Sequence, residues 1–213
     1  MIERKSLSTQ IIDAIWQLIL DGTIAPNDPL REVHLAKLLN TSRTPLREAL
    51  QKLEWEGIVI SEPAKGFRLS DFSVEEVMEI YPLRAKLEPF ALQLSGIPSE
   101  AVLKELKYIN TQMANAKDPK AMIILDENWH DLLIAGCANH KLLKMIKVLH
   151  RQSQRYEYPY MKSKKQMESS IDQHIAIINF LQKGELQEAT QCFAENIMVG
   201  VNPLIEWVQN QKS

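Results

Sequence analysis

Three short runs of apolar residues at helical spacing, followed at once by two runs of strand type, fill the first 70 residues, and that order leaves few ways to fold them. Leu7-Ser8-Thr9-Gln10 leads into Ile11, Ile12, Ile15, Leu18 and Ile19, one face of a helix that ends at Asp21-Gly22. A loop with Pro26 and Pro29 follows, then Val33, Leu35, Ala36, Leu38 and Leu39 mark a short helix stopping near Asn40. The third helix carries its own punctuation. Thr44 suits the N-cap, and Pro45 suits the first helical position, where a missing N–H costs nothing. Leu46, Ala49, Leu50 and Leu53 then form an i, i+3, i+4, i+7 core stripe that closes at Glu56-Gly57. Ile58-Val59-Ile60 and Phe67-Arg68-Leu69 read as strands, joined by a hairpin tip at Ser61-Glu62-Pro63-Ala64-Lys65-Gly66.

Ser73-Val74-Glu75-Glu76 has the form of a capping box and opens a second region that is helical to the end. Helices are expected near 73–95, 99–116, 119–137, 140–156, 168–183 and 185–209, with Pro82 and Pro89 kinking or dividing the first. Asp118-Pro119 is a further cap-plus-proline start, and Lys183-Gly184 a tight break. The expected domains are therefore 1–71 and 72–213. Only seven glycines in 213 residues fit a mainly α fold.

Composition is that of an ordinary globular protein, 45% hydrophobic and 24% charged. Met1-Ile2-Glu3-Arg4-Lys5 has no apolar run behind its charges, and no stretch reaches the ~20 apolar residues that span a bilayer, so a cytoplasmic protein without a membrane partner is expected. Cys137 and Cys192 lack ligand spacing and read as buried thiols of a reducing compartment. Net charge is −2, and residues 1–70 carry nine basic and nine acidic side chains. Bulk charge offers no attraction for nucleic acid, so a DNA-binding role must rest on where particular arginines sit.

Three helices followed by a hairpin is the order of a winged helix-turn-helix, in which the N-terminal end of the last helix meets bases in the major groove. Here that end is Ser42-Arg43-Thr44-Pro45-Leu46-Arg47-Glu48. The core stripe turns Arg47 outward, and Arg43, one position ahead of the helix, projects along the groove floor. An arginine fork can bond guanine O6 and N7 together, which discriminates by ~1–3 kcal/mol. Ser42 and Thr44 suit phosphate oxygens, and Lys65 and Gly66 at the hairpin tip suit the minor groove.

The span from Gly22 to Leu69, with Leu35-Ala36-Lys37-Leu38-Leu39, Ser42-Arg43-Thr44-Pro45-Leu46-Arg47-Glu48-Ala49-Leu50 and Glu56-Gly57-Ile58-Val59, resembles the N-terminal domain of GntR-type bacterial transcription regulators. The resemblance implies base contact by Arg43 and Arg47, and supports roles for Thr44, Lys65 and Gly66. Asn40-Thr41 departs from the glycine and small apolar residue usual there, a difference in the turn rather than in the reading residues.

Asp126 and His130 are four apart and share a helix face, and His174 lies beside an apolar stripe further on. Taken alone, such residues are more often structural than metal ligands. However, residues 73–205 resemble the all-helical FCD ligand-binding domain of the FadR branch. The match is carried by Arg84 with Glu88, Asp126-Glu127-Asn128-Trp129-His130, Asn139, His174, Gly184-Glu185 and Ala189. Many FCD domains bind a divalent metal through one aspartate and three histidines. The resemblance implies that Asp126, His130 and His174 fill three of those positions for a zinc- or nickel-like ion, and places Asn196 at the fourth. Asparagine is a poor zinc ligand, so either three protein ligands leave room for water or an effector, or Asn196 hydrogen-bonds the effector or His174 in a metal-free pocket. Arg84 is either a carboxylate clamp or the partner of Glu88 in an i, i+4 pair on a helix surface.

The function expected is a ligand-responsive transcription regulator of the repressor type. A homodimer would read an imperfect palindrome, and a small organic acid would bind the helical domain and alter the placement of the two DNA-reading domains. A metal-dependent hydrolase and an effector-free DNA-bridging protein are the rivals. The first lacks a nucleophile signature or a carboxylate placed by motif as general base, so no enzyme activity is expected.

Overall fold

The structure, a computed structural model, describes residues 6–160 and 164–211 and divides into two compact units, Met1–Phe72 and Ser73–Ser213. The first unit runs α1 (Leu7–Leu20), β1 (Pro29–Leu30), α2 (Glu32–Leu38), α3 (Arg43–Trp55), β2 (Val59–Glu62) and β3 (Gly66–Leu69). Ser6 caps α1 by accepting from the Thr9 N–H. Ile11, Ile12, Ile15 and Ile19 are buried along the expected face, and α1 packs on α3 through Leu46, Ala49, Leu50 and Leu53, all fully enclosed. Each enclosed leucine contributes roughly 1.5–3 kcal/mol of transfer free energy, enough for this stripe to fix the rotation of α3 about its axis.

The wing has one strand more than the sequence suggests. β1 pairs antiparallel with β3, which pairs with β2, giving the order β1-β3-β2 with Ile60 opposite Arg68. Two residues have no detectable period, and Pro29 lacks an N–H for the ladder, so this edge strand reads as loop. Asn40 adopts φ +47, the left-handed conformation that asparagine tolerates, and so makes the α2–α3 turn without glycine. At the tip, Ala64 has φ +65 and Gly66 φ +88. Arg68 braces the wing by donating to Glu62 at 2.8 Å and to Asn27 at 2.9 Å.

The second unit is a bundle of α4 (Val74–Ser95), α5 (Glu100–Asn115), α6 (Pro119–Leu133), α7 (His140–Tyr160), α8 (Lys164–Lys183), α9 (Leu186–Val199) and α10 (Val201–Gln211). α4 is its hub, packing on α7, α9 and α10. Pro82 and Pro89 do not divide it, since the helix runs through both. The expected helix over 185–209 is instead two, broken after Val199 by Gly200. Gly200 stands at the break, and Pro203 falls in the first turn of α10, where its missing N–H needs no intrahelical partner. Asp118 caps α6 ahead of Pro119, as read from the sequence.

Ser73 caps α4 by accepting from the Glu76 N–H, but the reciprocal half of a capping box is absent. Instead the Ser73 N–H donates to the Tyr156 hydroxyl, and Glu76 accepts from both Tyr156 and Arg155. The start of α4 is thereby tied to α7. Cys137 is buried as expected, whereas Cys192 is half-buried, and both are free thiols. No helix among the described residues is long and apolar enough to cross a membrane.

Candidate functional sites

In the first unit, Ser42 rather than Thr44 is the N-cap of α3. Its backbone is extended (φ −84, ψ 162) and its side chain makes no capping bond. Arg43 is consequently the first helical residue and Pro45 the third. Proline is as acceptable there as at the first position, because none of the first four N–H groups has an intrahelical acceptor. Arg43, Thr44 and Arg47 are exposed and, with Glu32, Glu48 and Gln51, line a depression of about 410 Å³. Arg43 stands 3.8 Å from Glu32 at the start of α2, a loose and largely solvated pair. Ser42 is exposed just ahead of them. Lys65 and Gly66 lie at the wing tip, where Lys65 reaches within 3.8 Å of Glu62. Hydrogen bonding from Arg68 is the main reason the Glu62 carboxyl lies below its ordinary pKa.

In the second unit, Asp126 and His130 on α6 meet His174 on α8 inside the bundle. Asp126 Oδ2 is 3.8 Å from His130 Nε2, and Asp126 Oδ1 is 3.7 Å from His174 Nε2. Both imidazoles are buried, and the ligating atoms of all three residues lie within 4.8 Å of one another. The far side of each ring is already engaged. His130 Nδ1 is 2.7 Å from Glu88 Oε2, and His174 Nδ1 is 3.2 Å from Asn110 Oδ1. Trp129 stacks on His174 with ring centres 3.7 Å apart and planes 2° from parallel. Burial holds the His174 pKa well below its ordinary value, His130 adds to the effect, and Asn196 works against it. His174 is thus a neutral imidazole whose buried Nε2 has no hydrogen-bond partner among the described residues.

A buried orphan nitrogen facing a carboxylate is costly unless a cation lies between them. Two imidazole nitrogens and one carboxylate also form a donor set suited to a divalent transition metal. These residues therefore fit such an ion. A second group, Glu88, His130 and His150, is equally close-packed but does not fit one. Arg84 donates to Glu88 Oε1 at 2.7 Å, and His150 Nε2 lies 2.9 Å from the same oxygen. Burial alone would raise the Glu88 carboxyl, yet Arg84, His150 and His130 hold it well below the usual carboxylate range. His150 shows the converse: burial would lower it, but Glu88 raises it to about 9. That carboxylate already has its cations.

Arg84 is buried, not on a helix surface, and its guanidinium also donates to Ser153 on α7 at 2.8 Å. Asn196 on α9 donates to Gln173 at 3.0 Å and sits beside His174. The sequence did not single out Asn110 or His150. Asn110 meets a histidine 64 positions further along and His150 meets a carboxylate on another helix, and neither leaves a local spacing to detect. Glu88 was visible only as a partner for Arg84.

The profile named "Bacterial regulatory proteins, gntR family" matches residues 7–69, and that of the FCD domain matches residues 79–197. The Nta operon transcriptional regulator of Aminobacter aminovorans is 28% identical over 188 residues, covering 86% of this chain and 88% of that protein. The transcriptional repressor GlaR of Escherichia coli is 24% identical over 200 residues, covering 88% of this chain and 90% of GlaR. The solved structure of E. coli McbR/YncC superposes with a TM-score of 0.83 at 21% identity, over 96% of this chain and 99% of that one, a likeness of fold. With three helices and a wing in one unit and an FCD bundle in the other, the chain belongs to the GntR family of bacterial DNA-binding transcription regulators, of the kind that carries an FCD ligand-binding domain.

Proposed function

We propose that the chain is a metabolite-responsive repressor that binds an imperfect palindromic operator as a homodimer, with Arg43 and Arg47 reading bases. The observation that carries the DNA half is the exposure of Arg43, Thr44 and Arg47 on one end of a helix whose opposite face is fully enclosed. Ser42 and Thr44 hold phosphate oxygens, and Lys65 and Gly66 enter the minor groove. Leu83, Phe90 and Leu94, exposed along one line of α4, are apolar surface that a second copy would cover.

Asp126, His130 and His174 hold a divalent metal, supported by the orphan Nε2 and by the partners that aim both rings inward. The ion would supply a Lewis-acidic centre for an anionic effector such as an organic acid. Asn196, beside His174, contacts that effector. Arg84 has its guanidinium committed to Glu88 and Ser153, so as an effector clamp it would have to exchange Glu88 for the incoming carboxylate. A second reading, a metal-free polar pocket, draws support from the closeness of Asn196 to His174.

Selection of an operator from random DNA, followed by anisotropy titrations, tests the DNA reading. Arg47→Ala is expected to lose about 1–3 kcal/mol of specific affinity while keeping its affinity for random DNA. Unchanged discrimination between operator and random DNA refutes base reading by Arg47.

A further inference from the structure

We infer that Asn110 is a positioning residue for metal: it fixes the tautomer and ring orientation of His174 so that the Nε2 lone pair points at Asp126. The inference rests on the metal reading above for its consequence, but not for its geometry.

The chain of constraint begins at a backbone carbonyl. Asn110 on α5 is buried, and its Nδ2 donates to the Ile171 carbonyl on α8 at 3.1 Å. A carbonyl can only accept, so the amide cannot be turned end for end without setting two acceptors against each other. Asn110 Oδ1 must therefore face His174 Nδ1, 3.2 Å away, and an amide oxygen can only accept. Nδ1 carries the proton. With the proton on Nδ1, Nε2, buried and without a hydrogen-bond partner among the described residues, presents its lone pair 3.7 Å from Asp126 Oδ1. Trp129 stacked face to face on the ring holds its plane. The residue thus delivers a ligand already deprotonated at the metal-facing nitrogen.

His130 is aimed in the same sense by Glu88, but the backing group there is an ionised carboxylate. The two histidines are therefore unequal ligands. His130 is oriented by a carboxylate, while His174 is oriented by a neutral amide. Removing such an orienting hydrogen bond typically lowers metal affinity by about 10–100-fold.

The test uses the full-length protein with zinc and nickel as probes, and nitrogen-15 NMR of the histidine rings without metal. Wild-type His174 is expected to show a protonated Nδ1 and a bare Nε2. Asn110→Leu, which removes the acceptor, is expected to mix the tautomers and weaken metal binding by about 10–100-fold. Asn110→Asp gives up the bond to the Ile171 carbonyl but keeps an acceptor facing Nδ1, and so is expected to retain the wild-type tautomer and to bind metal no more weakly. If Asn110→Leu does not fold, the wild-type and Asn110→Asp spectra decide. A protonated Nε2 in the wild type, or an Asn110→Asp protein with the tautomer exchanged, overturns the inference, as does a folded Asn110→Leu protein with unaltered tautomer and affinity. If no protein binds metal, the metal reading fails while the tautomer measurement still decides the role of Asn110.

Discussion

Glu88→Gln is the most informative single perturbation of the second unit. The wild-type carboxylate is fully enclosed and faces Arg84, His130 and His150 together. Glutamine keeps the shape but removes the charge, leaving Arg84 buried against a neutral amide. Breaking a buried ionic group by removing one partner costs about 3–5 kcal/mol. For a domain of this size that corresponds to a fall in Tm of roughly 6–20 °C. The pH dependence gives the sharper signature. The depressed Glu88 pKa contributes stability above the ordinary carboxylate value, lost as pH falls through its lower folded value. His150, raised to about 9, contributes fully below its ordinary value of 6.5 and loses the contribution as pH rises through about 9. The gap between wild type and variant should therefore be widest near pH 5–6.5 and narrow toward pH 9 and beyond, where only the Arg84 pairing remains. Denaturant titrations across that range, followed by circular dichroism, measure it. A gap below about 1 kcal/mol, or one that is flat from mildly acidic to alkaline pH, would refute the charge assignment.

Lys65→Ala at the wing tip should weaken binding to operator and random DNA alike and reduce the salt slope of log K by about 1, as counterion release from one phosphate contact requires. Anisotropy titrations at several salt concentrations check this, and a loss confined to the operator would argue for base reading instead. Asn196→His places an imidazole beside His174 and should tighten zinc binding by roughly tenfold or more, about 1.4 kcal/mol per decade. Calorimetry that finds weaker or equal binding would show that Asn196 does not border the metal.

What could be read from the sequence was what local chemistry encodes. The buried face of α3 followed from Leu46, Ala49, Leu50 and Leu53, and the starts of α4 and α6 from Ser73 and Asp118. The exact start of α3 did not, because Ser42 and Thr44 are both good caps and Pro45 fits anywhere in the first turn. The break at Gly200 could have been found, since Pro203 follows within one helical turn. β1 could not, as two residues carry no period. The polar cluster was half legible. Asp126 and His130 share a helix face, but Glu88, Asn110 and His150 are brought in by packing of α4, α5 and α7. Nothing in their own neighbourhoods announces it.

α4 is also a mechanical element. Its cap, Ser73, is the first residue of the second unit, and Glu88 lies fifteen residues further along the same helix, ~22 Å at 1.5 Å per residue. A tilt of about 5° about Glu88 moves the cap by ~2 Å, a lever arm that enlarges a small shift of the His130 ring. Pro82 lies between the two and withholds one backbone hydrogen bond, so the rod is most compliant there. Tyr156 and Arg155 grip the far end through Ser73 and Glu76, on the same α7 whose His150 and Ser153 grip the near end through Glu88 and Arg84. Because the two helices are linked at both ends of that span, such a tilt carries α7 with it.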